Sequence, residues 1–189
     1  MLQPYRTNNL FESFEFRRGG KVLEGAPLCG LTLRAAGSMR FRWNEKNPNR
    51  DNLLEKIVRS SRTMTKLSSQ DMNELSSPDL PRVSLLPLQL DHTRIVYDVH
   101  EAGDTAGKIG DGIITGNRSL IPTITVADCM PLYLYEPNTE VFGIVHSGWK
   151  GTGIIAEAIE LAGRNYGSKA SDFCIVLGHH ILDCCDRVN

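Results

Sequence analysis

The 189-residue sequence has no long apolar run, no excess of either charge and no regular cysteine framework. Spanning a bilayer takes about 18 or more consecutive apolar residues, and no stretch approaches that, so no membrane partner is expected. The opening MLQPYRTNNLFESFEF lacks the apolar core of a secretory leader, and none is expected. Lys and Arg number 21 against 22 Asp and Glu, a net charge of −1. That balance removes any bulk attraction for nucleic acid, which is not expected as a partner. The five cysteines are Cys29, Cys129, Cys174, Cys184 and Cys185. Their odd number, one adjacent pair and the lack of any CxxC disfavour a disulfide scaffold. Reduced thiols and a cytoplasmic location are expected instead. No internal repeat occurs.

What is present is ordinary globular composition, 41% hydrophobic and 23% charged, at a length that suits one domain over 1–189. FESFEF, KVLEG and LCGLTLR read as short strands turning at Gly19-Gly20 and Gly37-Ser38. Pro48-Asn49 opens a helix whose Leu53, Leu54, Ile57 and Val58 share a face. Residues 59–81 are Ser-rich and polar, and read as an exposed connection. Strands return with VSLLPLQL, TRIVYDV, GIITG and TITVADC. PLYLY and VFGIVHSG then flank the turn EPNT, with Pro137-Asn138 at its centre. IIAEAIELAGRNYG is an amphipathic helix with Thr152 as expected N-cap and Gly167 as C-terminal stop, and FCIVLG is a last buried strand. The irregular alternation predicts an α/β (α+β) fold: mixed sheets, an antiparallel hairpin and flanking helices.

A two-residue turn at Pro137-Asn138 sets Cys129 directly opposite His146, with Cβ atoms about 4.5–5.5 Å apart. A thiol and an imidazole at that separation can share a metal or act as nucleophile and base. They can equally be a buried thiol and a hydrogen-bonded core histidine. HSGWKGTG places backbone N–H groups at a helix start beside His146, where an oxyanion or phosphate is welcome, although the spacing is not that of a Walker A loop. Tight strand-to-helix packing explains the same glycines equally well.

The stretch VADCMPLYLYEPNTEVFGIVHSGWKGTG resembles the signature of the laccase-domain family, also called YfiH/YlmD-like or multicopper polyphenol oxidase-like. Its A-D-C-x-P is matched by Ala127, Asp128, Cys129 and Pro131. Its H-A-G-W-[RK]-G-T is matched at His146, Gly148, Trp149, Lys150, Gly151 and Thr152, with Ser147 for Ala. LTLRAAGS is similar to the family's T-R-x-G-G-x-S through Arg34, Gly37 and Ser38. Asn49-Arg50 and Asp111–Thr115 extend the likeness. The resemblance implies a mixed α/β domain with a zinc site made of one Cys and two His. It also implies phosphorolysis of adenosine, inosine and methylthioadenosine, and adenosine deamination, with purine nucleosides and phosphate as partners. Apart from the family pattern, the glycine-rich helix start and the nearby cations make Arg34, Lys150, Gly151 and Thr152 the expected phosphate-binding residues.

Two places depart from the family pattern. The family's first metal-binding His lies in Q-x-H-[GS]-x-x-V, whereas here Asp91 holds that position and His92 follows. A one-residue slip turns a strand side chain to the other face, so His92 serves only if a bulge or loop re-aims it, and Asp91 is the alternative ligand. LGHHILDCCDRVN keeps the frame of the family's G-P-x-I-G-x-C-C-Y-E-V but alters it at His179, Leu182, Asp186 and Arg187. A second cluster from His179, His180, Cys184 and Cys185 fits no standard zinc spacing. Against the family the chain is expected to be short at its C terminus. Competing expectations are a copper-dependent phenol oxidase, a metal-free Cys129–His146 hydrolase and an inactive relative. Only five histidines speak against several coppers.

Overall fold

A computed structural model describes residues 6, 7, 9–66 and 83–180 of the chain. Five short strands come first: β1 (Arg6–Thr7), β2 (Phe11–Phe14), β3 (Arg17–Arg18), β4 (Lys21–Val22) and β5 (Cys29–Thr32). β1, β2 and β5 make an antiparallel sheet, and β3 turns into β4 through Gly19-Gly20. Both glycines have positive φ (58° and 80°), a conformation side chains resist.

Helix α1 (Pro48–Lys66) starts with Pro at its first turn, and the Asn47 side chain accepts the Arg50 N–H at 3.2 Å as its cap. It runs eight residues beyond Val58, so 59–66 of the expected Ser-rich connection is helical. Arg59, Arg62, Met64 and Lys66 are good helix formers, and neither Gly nor Pro interrupts them. The remainder, 67–81, lies outside the described residues.

The strands β6 (Ser84–Pro87), β7 (Val96–Asp98), β8 (Gly112–Thr115) and β9 (Leu120–Thr123) follow, then β10 (Met130–Tyr135) and β11 (Phe142–Ser147). Helix α2 (Ile154–Tyr166) and β12 (Cys174–Leu177) complete the described chain. Five strands form the main sheet in the order β12-β10-β11-β8-β7, antiparallel except for the parallel pair β7–β8. β6 and β9 pair in parallel alongside. The mixed α/β class expected from the sequence is therefore present.

Period-two alternation splits the main sheet's residues between two cores. Tyr133, Tyr135, Phe142, Ile144 and Val176 meet Phe14 and Phe16 on one face. Leu132, Leu134, Val145 and Ile114 meet Ile154, Ala158 and Ala162 of α2 on the other. Each large aliphatic side chain so buried contributes about 1.5–3 kcal/mol. β12 is an edge strand and not the wholly buried one expected: Cys174 and Val176 are covered, while Ile175 and Leu177 lie exposed beyond the reach of α2. The strand expected over TITVADC ends at Thr123, before Cys129 is reached. Among the described residues, no helix is long and apolar enough to cross a membrane.

The β10–β11 hairpin differs from the expected register. Tyr135 pairs with Phe142 and Pro131 with His146, because the connection is a longer loop closed by the Glu136 N–H on the Val141 carbonyl at 2.8 Å. Glu136 holds that loop open. Its buried carboxylate accepts the Asn138 and Thr139 N–H groups, the Asn138 amide and the Thr139 hydroxyl. The register is shifted by two positions, an even number, so Cys129 and His146 stay on one face but are diagonal instead of directly opposite.

Candidate metal centre

His146 is the last but one residue of β11, 3% exposed, and pinned before any ligand arrives. Its N–H donates to the Asp111 carbonyl at 2.7 Å, one position beyond the last β8–β11 pair. Its Nδ1 lies 2.7 Å from Asp111 Oδ1, which leaves Nε2 to face away from the carboxylate. Asp111 is fully buried. The same carboxylate accepts the His92 N–H at 3.1 Å, the Thr93 N–H at 2.6 Å and the Thr93 hydroxyl at 2.7 Å. Burial alone would raise its pKa. The hydrogen bonds from His146 and from both Thr93 groups outweigh that and hold it down at about 2.

The turn clamped by Asp111 delivers the third side chain. His92 has φ 55°, a left-handed conformation uncommon outside glycine, and it lies in a loop between the bridge at Gln89 and β7. That backbone turn performs the re-aiming required by its position in the sequence. His92 Nε2 comes to 4.0 Å from Cys129 Sγ, and its ring meets the His146 ring edge-on at 4.9 Å between centroids. One ligand atom each from His92, Cys129 and His146 lie within 4.8 Å of one another. Asp91, the alternative ligand, is exposed and outside this cluster.

Gly148 forms the floor. A Cβ built there would stand 2.9 Å from His92 Cδ2 and 3.3 Å from both Cys129 Sγ and His146 Cε1. Burial and the charges of Asp128 and Asp111 push the Cys129 thiol up from its ordinary value.

A tetrahedral zinc with Zn–S near 2.3 Å and Zn–N near 2.1 Å needs donors about 3.5 Å apart. The His92–Cys129 separation of 4.0 Å is about half an ångström above that, and all three donors lie within 4.8 Å of one another. The donor set, one soft thiolate and two imidazoles, is one that zinc and copper both accept. His146 is buried, Cys129 half-buried and His92 exposed, so the cluster opens to solvent on one side.

The residues expected to bind phosphate are dispersed. Arg34 lines a cavity of about 310 Å³ together with Leu31, Leu33, Ala127, His179 and His180. Lys150 is exposed, its Nζ 5.4 Å above the ring of Trp149, which is itself 81% exposed. Gly151 is buried under the Thr93 carbonyl, where a Cβ would come within 2.8 Å. Thr152 is not the N-cap. Its hydroxyl turns back to the Gly148 and Trp149 carbonyls, and Gly153 with φ 93° starts α2. The Ile154 and Ala156 N–H groups are occupied by the Gly151 and Gly153 carbonyls, so the helix start offers fewer free donors than expected. The cation beside Gly153 is Arg94, about 3.7 Å from a built Cβ, a residue that sequence reading missed. His179 Nε2 donates to the Glu12 carboxylate at 2.8 Å and His180 Nδ1 donates to the Gly178 carbonyl at 3.0 Å. Cys184 and Cys185 of the second cluster lie outside the described residues.

A mixed α/β fold with Cys and two His converging at the open end of a hairpin is that of a candidate mononuclear metal protein. A family model described as multi-copper polyphenol oxidoreductase laccase matches residues 69–189, and the chain belongs to that family. The segments around Arg34 and Asn49 lie before the matched span. Purine nucleoside phosphorylase YlmD of Bacillus subtilis is 37% identical over 87 residues, 45% of this chain and 31% of that protein. A purine nucleoside phosphorylase of Borreliella burgdorferi is 31% identical over 99 residues, 52% of this chain and 43% of that one. Among solved structures, Bacillus licheniformis YfiH aligns with a TM-score of 0.51 at 27% identity, covering 69% of this chain and 49% of its own. The chain thus spans less than half the length of the curated relatives it matches.

Proposed function

We propose that this chain carries the metal centre of a zinc-dependent purine nucleoside phosphorylase acting on adenosine, inosine and methylthioadenosine, with adenosine deamination at the same centre. The observation that carries the proposal is the convergence of His92, Cys129 and His146 within 4.8 Å around an open side. The names of the relatives supply the substrate class. His92, Cys129 and His146 would hold a zinc ion, which would supply Lewis-acid activation of water or phosphate.

The chain's own groups have separate tasks in this reading. Asp111 holds His146 with Nε2 free, and Cys129 would bind a cation as its thiolate. Of the residues considered for phosphate, exposed Lys150 and Arg94 beside Gly153 lie near the start of α2 and would position it, with Thr152 and buried Gly151 shaping that turn and Arg34 set apart in its own cavity. The described cysteines Cys29, Cys129 and Cys174 are free, which suits the reducing cytoplasm.

Metal-replete protein incubated with adenosine and phosphate, then resolved by chromatography, tests the proposal. Adenine with ribose-1-phosphate reports phosphorolysis, and inosine reports deamination. Neither product from metal-replete protein would overturn it. Metal analysis near one zinc per chain supports the zinc assignment, whereas copper would transfer the site to the phenol-oxidase reading that the family's name preserves.

A further inference from the structure

We infer that Asp111 is the positioning residue of the metal centre, one buried carboxylate that sets both histidines at once. The inference rests on reading His92, Cys129 and His146 as metal ligands. Asp111 lies opposite His146 across β8 and β11 and takes its Nδ1 at 2.7 Å. That contact selects the Nδ1–H tautomer of the neutral ring and presents Nε2 as the donor lone pair. Through its second set of contacts the carboxylate accepts the N–H groups of His92 and Thr93 and the Thr93 hydroxyl. Those three bonds hold the left-handed turn that points the His92 ring at Cys129. Only a carboxylate suits this place. It is surrounded by five donors, the Asp91 N–H at 3.4 Å being the longest, and an amide of the same shape would turn an N–H toward one of them.

A merely structural Asp111 would affect folding and leave the metal alone, so the test reads the metal. Cobalt(II) is added to the full chain and to D111N, and its absorption bands are followed together with zinc competition. Folding is checked by circular dichroism. The native chain is expected to bind one cobalt with a thiolate-to-metal band, and folded D111N to bind about 10- to 100-fold more weakly with that spectrum altered. Folded D111N binding as tightly as the native chain, with the same spectrum, would overturn the inference. If D111N does not fold, T93V decides. It removes only the hydroxyl bond to Asp111 and that to the Ile95 N–H. Weaker cobalt binding by T93V supports the inference, and unchanged binding overturns it. Failure of the native chain to bind cobalt or zinc sinks the metal reading itself, a result seen before any variant is measured.

Discussion

Asp111 and His146, 35 residues apart in the chain, meet at 2.7 Å between a carboxylate oxygen and Nδ1, both buried. The backbones of the same two residues are joined by a second bond, also 2.7 Å. This double attachment makes His146 the fixed member of the cluster, with His92 and Cys129 closing on it. His146 is accordingly preformed, and the adjustment that a cation requires falls on His92 and Cys129.

Cys129→Ala removes the soft donor. We expect loss of stoichiometric zinc by metal analysis and loss of nucleoside turnover. Retained turnover at native zinc content would show that the chemistry lies elsewhere.

Gly148→Ala places a methyl group against all three ligand side chains. Displacement of a catalytic group by about an ångström can cost on the order of 100-fold in rate. The expected result is a folded protein with weakened zinc binding and turnover reduced to that extent. Native kinetics in this variant would mean that Gly148 does not floor the reacting site.

Chelation should lower thermal stability as well as activity. A ligand bound at 100 times its Kd stabilises the native state by about 2.7 kcal/mol. A melting temperature that falls on zinc removal and returns on zinc addition is expected. Identical melting curves would indicate that no ion binds tightly to the folded chain.

Glu136 offers a pH test remote from the metal. Burial would raise its pKa, but bonds from the Thr139 hydroxyl, the Asn138 and Thr139 N–H groups and the Asn138 amide outweigh that and lower it. A depressed carboxyl contributes stability above its unfolded value, about 4.3, and loses it as pH falls through the lower folded value. Glu136→Gln should cost about 2 kcal/mol at neutral pH by denaturant titration. The gap from the native chain should narrow as pH drops below about 4. A gap that stays constant through that range would refute the assignment.

At the far end of α2, Asp98 accepts the Tyr166 hydroxyl at 2.6 Å and the Asn165 amide at 2.7 Å. Tyr166→Phe should cost about 1.5–3 kcal/mol of stability and leave zinc content unchanged. Lost zinc would reveal that α2 docking governs the metal centre.

Much of the architecture was readable because it is local. Short continuous apolar runs mark β10 and β11, and the apolar stripe from Ile154 to Ala162 marks α2. The hairpin register departs from that of a tight Pro137-Asn138 turn because Glu136 draws Asn138 and Thr139 back onto its side chain and stretches the turn into a longer loop. Thr152 resembles a helix cap by type, but the chain needs a left-handed residue there, and Gly153 supplies it.

For this protein, the sequence alone determined that a thiol and an imidazole share one face of a hairpin next to a glycine-rich helix start. Side-chain periodicity carries that information, and even a two-residue change of register leaves it intact. Only the tertiary structure decided that His92, and not Asp91, completes the cluster, and that Asp111 holds it. The first depends on one left-handed backbone angle, the second on which strand lies beside β11. Neither a single dihedral angle nor a long-range strand pairing is written in local pattern, because both are settled by contacts among residues distant in the chain.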